Sequence, residues 1–208
     1  MVRGRGTLGR PGPGPAGRAD RADRALISGG LLGIAGLGVL IAGDSGIGKS
    51  ESALELISRG HHFISDDVVE VSRTSAGRVV GRSPSLTRHY MEIRGLGIIN
   101  IKEIFGSRAV KLQSPIDLVI TLHKWQGSGG TDRLGLKFPE DYVLLGVRVP
   151  HLNIPVAPGR NIATLIEVAC KVNRLRKKGY QASEEIVSKL ERALLRRSRK
   201  GVLSSEKR

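Results

Sequence analysis

Gly43-Asp44-Ser45-Gly46-Ile47-Gly48-Lys49-Ser50 fills every position of the phosphate-cradling pattern G-x-x-x-x-G-K-[ST]. Its flanks agree with it. Residues 38–42 (Gly-Val-Leu-Ile-Ala) form a short apolar run suited to a buried strand, and residues 49–58 bring Ala53, Leu54, Leu56 and Ile57 toward one side of a helix. Gly60 stands where such a helix commonly stops. Strand, glycine loop and helix N-terminus thus follow one another. The glycines let consecutive N–H groups point at one anion, and the helix dipole adds its positive end. Lys49 is then expected on the β- and γ-phosphates of a nucleotide and the Ser50 hydroxyl on Mg²⁺. A glycine-rich turn that holds no nucleotide would not need the Gly-Lys-Ser ending.

Composition bounds the rest. A chain of 208 residues allows one domain with a real core and tails. Cys170 is the single cysteine, so no internal disulfide can form, and its place in an apolar helical pattern favours a packed core thiol over a nucleophile. No apolar run reaches the length of a membrane span and the N-terminus has no apolar signal core, so a soluble cytoplasmic protein with no membrane partner is expected. The formal charge of +15 raises the question of nucleic acid. Its location argues against a dedicated site: six arginines fall in residues 1–24 among glycines and prolines, others gather beyond residue 192, and Arg174, Arg176, Lys177 and Lys178 close a helix where cations complement the dipole. Aromatic residues are only 3% of the chain, too few for stacking single strands.

In chain order, residues 1–26 are expected to form a basic, Gly/Pro-rich disordered tail, residues 27–195 the folded domain, and residues 196–208 a second basic tail. Residues 30–35 and 36–42 read as the first two strands. After the phosphate loop and its helix, Phe63 and Ile64 lead to Asp66 and Asp67. Phosphoryl transfer needs a metal and a carboxylate that can take a hydroxyl proton. Two adjacent carboxylates in a strand would face opposite ways and could divide those tasks; the plainer possibility is a turn capped by aspartates. Residues 77–81 suggest a turn and a short strand, and Glu92 and Arg94 would share one face of an extended segment.

Residues 43–69, together with Met91-Glu92-Ile93-Arg94-Gly95-Leu96-Gly97-Ile98-Ile99-Asn100, closely resemble the catalytic domain of HPr kinase/phosphorylase. The second run is that family's signature. The resemblance continues through Asp132-Arg133-Leu134-Gly135 and Ile154-Pro155-Val156-Ala157-Pro158-Gly159-Arg160-Asn161, covering residues 29–190. It implies an α/β P-loop kinase domain of the HPr kinase and phosphoenolpyruvate carboxykinase-like type, a mixed sheet flanked by helices. It also implies ATP and Mg²⁺ as cofactors, with Gly43, Asp44, Ser45, Gly46, Ile47, Gly48, Lys49 and Ser50 as the nucleotide loop. Asp66 matches the carboxylate that takes the proton of the target serine and returns one in the reverse reaction. Ser50, Asp67 and Glu92 match metal-associated positions, Arg133 an active-site arginine, and Pro155, Val156, Ala157, Pro158, Gly159 and Arg160 the loop tied mainly to the phosphorylase reaction.

The implied activity is phosphorylation of a serine on the small phosphocarrier HPr or a paralogue, regulating carbohydrate metabolism. In reverse, inorganic phosphate attacks phosphoserine and leaves as pyrophosphate. Both are in-line displacements at phosphorus and can share one cradle and one acid/base carboxylate. The resemblance further implies a homo-hexamer, with HPr docking across a subunit boundary. Two departures stand out: alignment of residues 36–41 puts Ser28 where the family usually has histidine, so imidazole tuning of Asp66 is not expected; and the short basic segment stands where typical members carry a further N-terminal domain. These departures motivate a second reading, a nucleotide-binding but catalytically reduced regulatory subunit, against which Lys49, Asp66 and Arg133 argue. Another serine-protein substrate is also compatible. A third reading, an NTPase stimulated by RNA or DNA, gains nothing from the signature.

The remaining chain supplies scaffold. Residues 118–122, 143–149 and 152–156 read as strands, with His123 and Trp125 as rim residues. Asn161 can cap a helix bearing Ile162, Leu165, Ile166, Ala169 and Val172 on one face, and Ser183 is expected to start another helix that runs through Leu195.

Overall fold

Alternation of side chains along two central strands sets the layering. The computed structural model describes residues 23–125 and 141–205. β1 (Arg24–Ser28), β2 (Gly30–Ile34) and β3 (Leu37–Gly43) lead into α1 (Lys49–Ser58), followed by β4 (His62–Ser65), β5 (Val68–Arg73) and β6 (Val79–Arg82). The hairpin β7 (Tyr90–Ile93) and β8 (Gly97–Asn100) precedes a short α2 (Ile101–Phe105). Then come β9 (Gln113–Pro115), β10 (Leu118–Lys124), the hairpin β11 (Tyr142–Leu144) and β12 (Val147–Val149), β13 (His151–Val156), α3 (Ile162–Lys177) and α4 (Ala182–Ser205).

A five-stranded sheet in the order β13-β10-β3-β2-β4 forms the middle layer. β3, β10 and β13 are parallel, while β2 pairs antiparallel with both β3 and β4. Leu32, Val39, Ile41, Leu118 and Ile120 meet α1, α3 and the β7–β8 hairpin on one face. Leu31, Leu40 and Val119 meet Val69, Val71 and Val79 of a second, antiparallel sheet, β1-β5-β6-β9, on the other. The two sheets are joined at Gly38, whose N–H donates to Asp117 Oδ2 at 2.8 Å and where an added Cβ would lie 1.7 Å from the Pro115 carbonyl oxygen. Cys170 is fully buried in the helix-side core, and burial pushes its thiol up to about 12, as expected of a packing residue.

Several expectations are corrected. β1 takes in Arg24, Ala25 and Leu26, assigned above to a tail, because Ala25 and Ile27 face the inter-sheet core and the strand pairs with β5 from Arg24↔Ser72 to Ser28↔Val68. Residues 143–149 are two strands, not one: Leu145 and Gly146 take left-handed backbone (φ 49° and 74°) and turn the chain into a hairpin. α4 starts at Ala182, one residue before Ser183, and continues past Leu195 to Ser205. Asp66 and Asp67 lie in a bend between β4 and β5, not in a strand. Residues 1–22, residues 206–208 and the predicted active-site residue Arg133, with Asp132, Leu134 and Gly135, lie outside the described residues.

Candidate active site

The parallel strands β3, β10 and β13 all end on the same side of the sheet, and β3 delivers the phosphate loop there. Gly43, Gly46 and Gly48 have φ of 138°, 73° and 100°, values a Cβ would disfavour. At Gly43 a Cβ would also meet the Leu122 carbonyl at 2.5 Å. Ile47 is buried and pins the loop to the core. Gly48 caps α1 with no side-chain hydrogen bond, so the first-turn N–H groups are left to an anion. Lys49 Nζ donates to the carbonyls of Gly43 and Asp44 at 2.9 and 2.8 Å, which holds its ammonium over the loop.

Around this loop lies a cleft of about 140 Å³ lined by Ser45, Gly46, Gly48, Lys49, Ser50, Glu51, Asp67, Glu92 and Arg94. Residues from the loop, the β4–β5 bend and the β7–β8 hairpin therefore converge. The signature run is the hairpin itself. Met91 and Ile93 face the core, which turns Glu92 outward toward the cleft, and Arg94 occupies the turn before Gly95 and Gly97 (φ 88° and 82°). Arg94 reaches the loop: its Nη2 lies 3.5 Å from where a Gly46 Cβ would be. Sequence alone pairs Arg94 with Glu92 and gives Glu51 no role, although Glu51 directly follows the motif.

Asp66 is the unusual carboxylate. It is 9% exposed and accepts a hydrogen bond from Ser50 Oγ on both oxygens, at 3.2 and 3.1 Å. Burial raises its pKa to about 6; the Ser50 hydrogen bond opposes the rise, and the neighbouring Asp67 charge adds to it. Asp66 sits behind Ser50, whereas Asp67, held at a φ of 61°, lines the cleft. Because the Ser50 proton points at Asp66, the hydroxyl lone pairs stay available to a cation. Ser50, Asp67 and Glu92 are hard oxygen donors around one cleft. Among the described residues no group of three or more His, Cys, Asp or Glu side chains could hold a metal by itself. That donor set suits Mg²⁺, which is usually held by one or two carboxylates together with substrate phosphates.

The loop of residues 155–160 is on the same side of the sheet but does not line the cleft. It begins in β13, and Arg160 Nη1 folds back to donate to the Pro155 carbonyl at 3.0 Å. A larger cleft of about 410 Å³ lies on the outer face of the four-stranded sheet among Arg24, Leu26, Glu70 and Arg82, away from the phosphate loop. Glu70 and Arg82 pair with each other there at 2.7 Å, leaving no acid/base group poised for chemistry.

A family model described as the HPr Serine kinase C-terminal domain matches residues 20–190. This chain belongs to that family. Among its relatives are the HPr kinase/phosphorylase of Thermoanaerobacter sp. (strain X514), 48% identical over 170 residues that make up 81% of this chain and 55% of that protein. The HPr kinase/phosphorylase of Lachnoclostridium phytofermentans is 45% identical over 183 residues, 88% of this chain and 59% of that protein. The solved HPr(Ser) kinase/phosphatase from Coxiella burnetii superposes with a TM-score of 0.70 at 35% identity, covering 78% of this chain and 98% of that one. The chain spans about half the length of the curated relatives it matches. Its α/β architecture, with a mixed sheet and flanking helices, is that of the HPr kinase domain.

Proposed function

We propose that this chain is an ATP- and Mg²⁺-dependent protein-serine kinase that phosphorylates HPr or a paralogue, and that it also catalyses the reverse phosphorolysis to pyrophosphate. Asp66 carries the reading. A buried carboxylate that titrates near neutrality and touches the phosphate loop can take a proton from a serine hydroxyl in one direction and give one back in the other. Family membership supports HPr as the substrate class, since the relatives are named for it.

In this assignment residues 43–50 bind the nucleotide phosphates through backbone N–H groups and Lys49. Ser50, Asp67 and Glu92 hold the metal. When bound, Mg²⁺ neutralises phosphate charge and aligns the transferring group. Arg94, poised over Gly46, adds a second cation to the phosphate side, and Arg133 is assigned the same task. Asp66 is assigned the proton of the acceptor hydroxyl, which requires its carboxyl to exchange the Ser50 hydrogen bond for one from the acceptor. Residues 155–160, on the same side of the sheet two strands from the loop, serve phosphorolysis. Assembly into hexamers and a cytoplasmic location complete the proposal; among the described residues no helix is long and apolar enough to cross a membrane.

Incubation with γ-labelled ATP, Mg²⁺ and purified HPr should place label on a serine, and inorganic phosphate should then release it as pyrophosphate. ATP binding without transfer to HPr would favour the regulatory-subunit reading.

A further inference from the structure

Four non-glycine residues among those described have left-handed backbone: Ala35, Asp67, His89 and Leu145, at φ of 50°, 61°, 70° and 49°. Two of them follow from local turn chemistry. Ala35-Gly36 and Leu145-Gly146 are the two-residue turns of the hairpins β2–β3 and β11–β12, where both central residues need a positive φ. Asp67 and His89 are in no such turn. Asp67 is itself a cleft carboxylate, and His89 stands three residues before Glu92, the other carboxylate assigned to the metal. Strained backbone of this kind persists only where the surrounding structure holds it, and it gathers at functional sites.

The bonds around His89 show what holds it. Its carbonyl accepts from the Ile101 N–H at 2.8 Å, one rung beyond the Tyr90↔Asn100 pair, so residue 89 closes the base of the β7–β8 hairpin where the chain passes into α2. The Tyr90 N–H donates back to the Thr87 carbonyl at 3.1 Å, a turn that a straight extension of β7 would not make. The imidazole does not supply the hold: its Nε2 is buried with no hydrogen-bond partner, so the ring brings a desolvation cost with no bond to offset it. What residue 89 contributes is its backbone conformation, which His, Asn and Gly adopt more readily than other residues and a β-branched side chain hardly at all. Met91 and Ile93, buried in the helix-side core, decide which face of the hairpin Glu92 is on. The turn at His89 sets the angle at which β7 reaches the cleft.

We propose that His89 is a positioning residue for Glu92: its left-handed backbone aims the β7–β8 hairpin so that the Glu92 carboxylate meets a metal held at the phosphate loop. The inference rests on the metal assignment given above and needs no acceptor protein, so its outcome is separate from that of the transfer assay.

The test measures binding of ATP carrying a fluorescent ribose label to the full chain, once with Mg²⁺ and once with EDTA. In the natural chain Mg²⁺ should tighten binding, and Glu92→Gln should remove part of that tightening. His89→Val should weaken binding in Mg²⁺ roughly tenfold, the factor expected when a Cβ opposes a left-handed backbone, and leave binding in EDTA unchanged. His89→Asn and His89→Gly, which tolerate the same φ, should stay within about twofold of the natural chain in both conditions. In the Glu92→Gln background His89→Val should have no further effect. If His89→Val does not fold, as read from circular dichroism, His89→Ala carries the same predictions at about threefold. Equal weakening in Mg²⁺ and EDTA would place the damage in the phosphate loop itself, and a loss in the Asn and Gly variants would assign the effect to the imidazole. Unchanged affinity in His89→Val would mean that Met91 and Ile93 alone aim Glu92. Any of these three results overturns the proposal. Absence of a Mg²⁺ effect in the natural chain would overturn it together with the metal assignment, an outcome visible before any substitution is made.

Discussion

Asp66 costs stability to keep in its working state. Its carboxyl has an ordinary value of 3.8 and is raised to about 6 in the fold by burial. The folded chain therefore binds that proton more tightly than the unfolded chain, and the contribution is present below the unfolded value and lost as pH rises through about 6. Asp66→Asn should consequently stabilise the metal-free chain at about pH 8 by about 1–3 kcal/mol, with the difference vanishing near pH 4. Denaturant midpoints at the two pH values check this; a mutant less stable at the higher pH would mean that Asp66 is held mainly by favourable contacts. The pairing of Ser50 with Asp66 was not legible from the sequence. Adjacent aspartates fit a strand and a bend equally well, and only the left-handed backbone of Asp67 decides between them.

At the scale of elements, the local signals were the readable ones. Strand, loop and helix over residues 37–58 announce themselves through an apolar run, three glycines and a 3.6-residue pattern. β1 was hidden because only Ala25 and Ile27 face inward and its partner β5 is distant in sequence. The extension of α4 over residues 196–205 was hidden by a basic composition that reads equally as tail. Gly38 marks the joint between sheets. Gly38→Ala would drive a Cβ into the Pro115 carbonyl and should cost about 3 kcal/mol or more, read as a fall in thermal midpoint. Asn161 links α1 to α3: its Oδ1 accepts from the Thr164 N–H at 2.7 Å while its Nδ2 donates to Glu55 at 2.8 Å. Asn161→Ala should cost about 1–2 kcal/mol, and Asn161→Ser, which keeps a cap but not the link, about half as much.

The whole molecule brings the site together by topology. Residues 43–50 sit at the C-terminal end of the central strand β3, the bend after β4 supplies Asp66 and Asp67, and a hairpin supplies Glu92 and Arg94. The motifs and their order were readable in the chain, whereas Arg94 over Gly46 arises only when the hairpin docks on the helix-side core. The most direct test of the assembled site compares single-turnover transfer from γ-labelled ATP and Mg²⁺ to HPr for the natural chain and Asp66→Asn. Label should appear on a serine at a rate that falls about 10²–10⁴-fold in the mutant, in a protein at least as stable as the original. Equal rates in the two proteins would contradict the role assigned to Asp66.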